Sequence, residues 1–505
     1  MRILSVSQMI KAEQQSEKLG VSLSQLMDNA GAALAQEIAA HCKRLECTSP
    51  LILAGKGNNG GDGLVAANIL AHKGLTPVIM LCCGEPSTDL SKARMSALDK
   101  RVKVINWSDD EENTVLSAAL ICDCIFGTGF KGELRDSIKP LFDCIARSSA
   151  FVIACDIPSG ANARSGQVST LAVKADTTLT MHAVKLGMTL SPARYYCGEI
   201  KTADIGIPEG VYESCEEFDR EITLDDDRDL KALLPDRPPW GHKGTFGRLL
   251  CVCGSDSYIG AAAMACEAAM RSGVGLTELL STEKCIASVS VRSPELIYTA
   301  LPESGTCELL KERLELADAV LIGCGLGTDH LARELLITAV SESEKPLIID
   351  ADGINLLSEN IDILLKKRLQ VILTPHPAEL ARLCGASTAE VLADRWRFAA
   401  ELAERYGVIV VSKAAETIIT DGKRTEVIRT GSTALSKGGS GDMLAGAVAS
   451  LTAQRNDALF ENAVLGCFII GESAKALETE MSPRGIIARD ILSRIPLTLK
   501  DMETK

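Results

Sequence analysis

The sequence predicts an α/β protein with two doubly wound domains. Three observations carry that prediction. The 505 residues are 46% hydrophobic but only 4% aromatic, which favours packed helices and parallel strands over an all-β design. In both halves, short apolar runs end in glycine-rich polar loops and lead into helix-forming stretches, the pattern of βα units. The alternation stops once, over residues 209–240. That stretch carries Glu213, Glu216, Glu217, Asp219, Asp225, Asp226 and Asp227, ends in Arg237-Pro238-Pro239-Trp240, and reads as a join between domains. The expected division is 1–212, a linker over 213–240, and 241–505.

Taken in order, residues 3–42 read as helical, because apolar spacing near 3.6 runs through Leu26, Ala30 and Leu34. Pro50–Ala54 is a short buried strand. It enters Gly55-Lys56-Gly57-Asn58-Asn59-Gly60-Gly61-Asp62-Gly63, and a helix follows from Leu64. Strand, glycine-rich loop, helix is a phosphate-binding layout, although neither Gly-x-Gly-x-x-Gly nor a Walker loop is present. Strands over 77–81, 120–125 and 151–155 continue the half. The last two end in Phe126-Gly127-Thr128-Gly129-Phe130-Lys131-Gly132-Glu133 and Asp156-Ile157-Pro158-Ser159-Gly160. Open α/β sheets bind ligands at the carboxyl ends of their strands, so three segments converge on one site.

The second half restarts with a strand at 248–253 and a helix from Ala262. Further strands over 319–322, 346–349, 371–373 and 408–411 end in Gly323–Gly327, Asp350–Asn355, Thr374–Glu379 and Ser412–Thr417. Last comes Lys437-Gly438-Gly439-Ser440-Gly441-Asp442, ahead of an apolar helix. Such a loop offers free N–H groups to an anion, with a carboxylate beside them. That suits proton abstraction from a hydroxyl about to receive a phosphoryl group. Alone, the hexapeptide is equally compatible with a plain connector before a buried helix.

Net charge is 53 − 67 = −14 with no basic block, which argues against nucleic acid and anionic membrane as partners. Eighteen cysteines are scattered without a zinc spacing, and are expected to be reduced core residues of a cytoplasmic protein. No apolar run reaches the length of a membrane span, and Lys11 and Glu13 break any secretory leader.

These motifs resemble a known pair of domains. Met27–Gly31, Gly57–Gly63, Asp123 with Gly127–Gly129, and Asp156–Gly160 resemble the NAD(P)H-hydrate epimerase domain (YjeF N-terminal type). His242–Gly244, Gly260-Ala261, Gly323–Gly327, Asp350–Asn355, Thr374–Glu379 and Gly439–Asp442 resemble the ribokinase-like NAD(P)H-hydrate dehydratase domain. The resemblance implies a Rossmann-like three-layer sandwich followed by a ribokinase-like domain. It also implies a fused repair enzyme for hydrated NADH and NADPH, acting as isomerase and lyase. The first domain would interconvert the two epimers of the hydrate, and the second would dehydrate one of them with ADP.

Carried over by motif, Asn58, Asn59, Gly60, Gly61, Asp62, Gly127 to Glu133 and Asp156 would bind the epimerase substrate, with Asp156 also catalytic. Asn59, Asp123 and Ser159 would hold K⁺. Ala261, Gly325, His376 and Asp442 would contact the dehydratase substrate, with Asp442 as base. Lys413, Ala414, Ala415, Glu416, Thr417 and Gly441 would bind the nucleotide, ADP, and Mg²⁺ is expected with it from phosphoryl transfer in general. The family also implies a homo-oligomer, a tetramer or larger. The chain departs from the family pattern at Ala414, where Gly is usual, at Gly431–Leu435 and at Asp28. A ribokinase-type small-molecule kinase with an accessory domain is the alternative that the Gly-Ser-Gly-Asp loop alone allows.

Overall fold

Alternation within the strands sets the layers. In Leu51–Ala54, Ile52 and Ala54 pack into one core while Leu51 and Leu53 pack into another. In Arg248–Val252, Leu249 and Cys251 face one core and Leu250 and Val252 the other. A strand buried on both faces is the mark of a sheet between helical layers. The computed structural model describes residues 2–213, 218, 220–227, 229–367 and 370–504, and divides into two units, Met1–Ile222 and Thr223–Lys505.

The first unit contains β1 (Ile3–Leu4), β2 (Leu51–Ala54), β3 (Val78–Leu81), β4 (Lys103–Asn106), β5 (Leu120–Cys124), β6 (Phe151–Cys155), β7 (Thr177–Met181), β8 (Val184–Lys185) and β9 (Glu199–Ala203). Seven of them form a parallel sheet of order β4-β3-β2-β5-β6-β7-β9, and β1 pairs with β8. Chain order reverses between β2 and β5, which opens a crevice at their carboxyl ends.

The second unit's sheet uses β10 (Glu221–Leu224), β11 (Arg248–Val252), β12 (Leu276–Ser281), β13 (Ile297–Ala300), β14 (Ala319–Ile322), β15 (Leu347–Ile349), β16 (Val371–Leu373), β17 (Ile409–Ser412), β18 (Thr417–Thr420) and β19 (Arg424–Ile428). Their order is β10-β19-β18-β17-β16-β15-β14-β11-β12-β13. The strands from β13 to β17 run parallel, and β18 and β19 are antiparallel additions. The reversal lies between β11 and β14.

Three expectations need correction. Residues 3–42 are not one helix: Ile3–Leu4 is a strand, and the helices Val6–Lys18 and Leu23–Arg44 are separated by a break that Ser22 caps. The Asn58–Gly63 loop is already helical, because the helix starts at Asn58 with Gly57 as its cap residue. The glycines there serve close approach: a Cβ on Gly60 would lie 1.9 Å from the Gly55 carbonyl oxygen. Residues 221–224 of the expected linker form the edge strand beside β19, and Asp225 accepts from the N–H groups of Arg429 and Thr430 at 3.1 and 2.8 Å. Glu216, Glu217 and Asp219 of that stretch lie outside the described residues. The described cysteines are free thiols, most of them buried.

Candidate functional site

In the first unit, the crevice between β2 and β5 holds a cavity of about 900 Å³. Its wall includes Asn58, Asn59, Asp62, Gly127, Thr128, Gly129, Phe130, Lys131, Glu133 and Asp156. No side chain caps the helix that begins at Asn58, so its first-turn N–H groups remain available to an anion. The Asn58 carboxamide is steadied by the Thr88 hydroxyl at 2.7 Å.

Asp156 has φ +68°, unusual for a residue other than glycine. Its Oδ1 accepts from the Met181 N–H at 3.2 Å and forms an ion pair with Lys185, whose side chain is 1% exposed. Lys185 also donates to the Thr180 hydroxyl and the Met181 carbonyl, both at 2.8 Å. An ammonium has three donors, and these acceptors use all three. Glu13 and Asp62 also line the cavity. Burial, with the Asp156 charge adding to it, pushes the Glu13 carboxyl up to about 7 and the Asp62 carboxyl well above its usual range.

Beneath this cavity Asp123 and Ser159 are buried together. Ser159 donates its N–H to Asp123 Oδ2 at 2.7 Å and its hydroxyl to Oδ1 at 2.6 Å. The Phe126 N–H donates to the Ser159 hydroxyl at 2.8 Å. Burial pushes the Asp123 carboxyl up to about 6, the effect expected of a carboxylate lacking a counter-charge. The amide nitrogen of Asn59 is buried without a hydrogen-bond partner. Turning that amide over would present an oxygen instead. Asn59, Asp123 and Ser159 therefore fit a hard monovalent cation in donor chemistry and in charge.

In the second unit the polar groups gather beside the reversal between β11 and β14. The helix Ser440–Gln454 starts after Gly439 at φ +94°, again without a side-chain cap, and Asp442 sits in its first turn. Lys413 Nζ lies 2.6 Å from Asp350 Oδ1, and the Thr374 hydroxyl donates to the same oxygen at 2.7 Å. A Cβ on Gly441 would lie 3.3 Å from Lys413 Nζ and 3.8 Å from Asp350 Oδ2, so the glycine loop, the lysine and the carboxylate meet. Burial and the Asp350 charge push the Asp442 carboxyl up to about 7. Cys324, Asp350 and Asp442 bring one ligand atom each within 4.8 Å of one another. The two carboxylates suit Mg²⁺ and the thiol does not, so the set fits an ion carried mainly by nucleotide phosphates.

Gly325 has φ +63°, and a Cβ there would come within 2.8 Å of the Ala261 Cβ and 2.7 Å of the Tyr258 Cβ. Those two predicted substrate positions are thus in contact. His376 caps the helix Pro377–Cys384: its Nδ1 accepts from the Ala378 N–H at 3.1 Å, and its Nε2 lies 3.2 Å from Glu379. Its side chain is still 49% exposed.

Comparison with known proteins adds to this geometry. The family model described as YjeF-related protein N-terminus matches residues 23–187, and the one described as NAD(P)H-hydrate dehydratase matches residues 249–497. The bifunctional NAD(P)H-hydrate repair enzyme Nnr of Thermofilum pendens is 32% identical over 99% of this chain and 96% of its own length. The enzyme of that name from Escherichia coli is 33% identical over 95% of this chain and 90% of its own length. The chain belongs to the bifunctional NAD(P)H-hydrate repair enzyme family. A hypothetical protein from Streptococcus mutans, known from its crystal structure, is 30% identical, covers 55% of this chain and 99% of its own, and superimposes with a TM-score of 0.50.

The other residues named from sequence have varied settings. Gly60, Gly61 and Gly132 are absent from the cavity wall. Glu133 lines it, yet its carboxylate is engaged by the Ser169 hydroxyl at 2.7 Å and the Thr170 N–H at 2.9 Å. Ala414 and Ala415 are exposed in a turn, Glu416 is buried with its carbonyl held by Arg395 at 2.6 Å, and Thr417 opens β18. The 431–435 departure is a short turn over Thr433–Leu435, capped by the Ser432 hydroxyl. Asp28 makes a two-pronged ion pair with Arg94 at 2.8 and 2.9 Å.

Sequence reading missed Lys185, Glu13 and Asp350 as site residues. Lys185 and Glu13 reach the cavity from β8 and from the first helix, far from any glycine loop. Glu13 did leave a signal: it shares one side of its helix with the buried Met9, one turn away, and Met9 also lines the cavity.

Proposed function

We propose that this chain repairs hydrated NADH and NADPH in two steps. The first unit interconverts the R and S hydrates, and the second dehydrates the S hydrate with ADP, giving NAD(P)H, AMP and phosphate. The observation that carries this reading is Asp442 in the first turn of an uncapped helix, beside the buried Lys413–Asp350 pair.

Asp442 removes the proton of the substrate hydroxyl as that oxygen takes the terminal phosphoryl group of ADP. A carboxyl pushed up to about 7 is well matched to that task at neutral pH. The N–H groups of Gly439 to Gly441 face the phosphoryl charge. The new phosphate ester is a good leaving group, and loss of phosphate together with a ring proton restores the reduced nicotinamide. Ala261 and Gly325 shape the wall beside the ring, with His376 at its edge. Lys413 to Thr417 and Gly441 hold the nucleotide. Asp350 and Asp442 would hold Mg²⁺ brought by the nucleotide, which would supply charge neutralisation for the phosphates.

In the first domain Asp156 serves as base on the hydrate, held in place by its ion pair with Lys185. The helix N-terminus at Asn58 and the Gly127–Glu133 wall take the pyrophosphate and the rest of the dinucleotide. Asn59, Asp123 and Ser159 would hold K⁺, which would supply a fixed positive charge to the site. The family resemblance supports a cytoplasmic homo-oligomer, a tetramer or larger. Among the described residues no helix is long and apolar enough to cross a membrane.

The test is to mix acid-hydrated NADH with the protein, Mg²⁺ and ADP, then ATP, and follow the reduced-nicotinamide absorbance. Recovery with ADP is expected; no recovery with either nucleotide would refute the reading.

A further inference from the structure

The cavity of the first unit holds more acid–base machinery than one aspartate. Glu13, Asp62, Asp156 and Lys185 all line it. Their partners differ. Asp156 is fixed by the Met181 N–H and by Lys185, and all three Lys185 donors are spent on fixed oxygens. Glu13 takes part in no hydrogen bond or ion pair among the described residues, although it sits on the helix face that Val6, Met9 and Ala12 bury. A carboxyl set on a buried helix face without a partner breaks the local pattern, and such breaks mark functional positions.

We propose that Glu13 is a second catalytic acid–base residue of this cavity, working with Asp156, and that Lys185 is the positioning residue that pairs with Asp156 and fixes it in place. This rests on the epimerase reading of the first unit. The two carboxyls have different surroundings: burial and the neighbouring Asp156 charge favour the protonated form of Glu13, while Asp156 is ion-paired to the Lys185 ammonium. Two carboxyls set in such different surroundings can divide into an acid and a base.

The chemistry follows from the substrate class. The hydrated carbon bears both a hydroxyl and the ring nitrogen, so it is a carbinolamine. Asp156 takes the hydroxyl proton, the C–O bond becomes a carbonyl, and the C–N bond breaks. Glu13 gives its proton to the departing nitrogen. Rotation about the adjacent C–C bond presents the other face of the aldehyde. The nitrogen then attacks, Glu13 recovers its proton, and Asp156 returns its proton to the new alkoxide. Every proton is restored, and no oxidant or reductant is required.

The experiment uses the full chain and separated R and S hydrates of NADH with ADP and Mg²⁺. Turnover of the S hydrate reports the second unit and serves as the folding control. Glu13→Gln should lower R-hydrate conversion by ~10²-fold or more and leave S-hydrate turnover intact, while Glu13→Asp retains part of the rate. Lys185→Met should move the acid limb of R-hydrate conversion to higher pH without moving the S-hydrate profile. R-hydrate conversion by Glu13→Gln within about twofold of the unaltered protein overturns the proposal. Should Glu13→Gln also lose S-hydrate turnover, Glu13→Asp decides: a full R-hydrate rate with an unmoved pH profile overturns it, and a reduced rate with a shifted limb upholds it. An unaltered protein that consumes only the S hydrate refutes the epimerase reading itself, and this proposal with it.

Discussion

Lys413 and Asp350 form an ion pair of 2.6 Å in which the carboxylate is 1% exposed. Burial works against the Lys413 ammonium, yet Asp350 and Glu379 outweigh it and hold its pKa above the usual value. The pair adjoins Asp442 and acts on it in both directions, since Asp350 raises its pKa and Lys413 lowers it.

The dehydratase should therefore gain activity as pH rises through about 7, where Asp442 loses its proton. Asp350→Asn should move that limb to lower pH and Lys413→Met to higher pH. A pH profile of kcat/KM on the S hydrate checks both shifts, and limbs that stay in place would contradict the charge coupling.

The same raised pKa costs stability. The folded chain holds a proton on Asp442 that the unfolded chain releases at lower pH. Wild-type stability from this group is thus present below about pH 4 and is lost progressively as pH rises to about 7. Asp442→Asn should lose dehydration by ~10²–10⁴-fold yet melt a few degrees higher at pH 8, with the difference shrinking at pH 5. Thermal melts of the two proteins at both pH values decide it.

Gly325→Ala places a methyl group against Ala261 and Tyr258 at a φ of +63°. A left-handed alanine costs about 1–2 kcal/mol, and the clash closes the substrate wall. The expected outcome is a raised KM for the hydrate with a smaller change in kcat, measured by steady-state kinetics.

The domain boundary is also testable. A fragment beginning at 241 loses β10, the Asp225 contacts to Arg429 and Thr430, and Leu230, which is buried in the second unit's core. Each charge-assisted bond is worth about 1.5–3 kcal/mol. The fragment from 221 should therefore melt well above the fragment from 241.

Much of the fold was legible because the central strands β2, β5, β6, β11 and β14 are largely apolar runs that lead into polar, glycine-containing loops. The edges were not. Lys103–Asn106 and Ile297–Ala300 are partly exposed, so they lack an apolar run, and the β18–β19 hairpin was hidden behind the Lys413–Thr417 motif. The helix at Asn58 was disguised by glycines that suit close packing rather than a loop. Site residues on strand-end loops, such as Asp156, Gly325 and Asp442, announced themselves by residue type and place. Lys185 and Asp350 acquire their meaning only from partners that the fold brings from afar, and a one-dimensional pattern does not show that pairing.

One measurement tests the central claim most directly: recovery of reduced-nicotinamide absorbance from a mixture of both NADH hydrates, with ADP and Mg²⁺, by the full chain and by two variants. The unaltered protein should restore all of it. Asp156→Asn should stop once the S hydrate is consumed, and Asp442→Asn should restore almost none. Accumulation of a stable phosphorylated alcohol without return of absorbance would contradict the account and make the second unit a kinase.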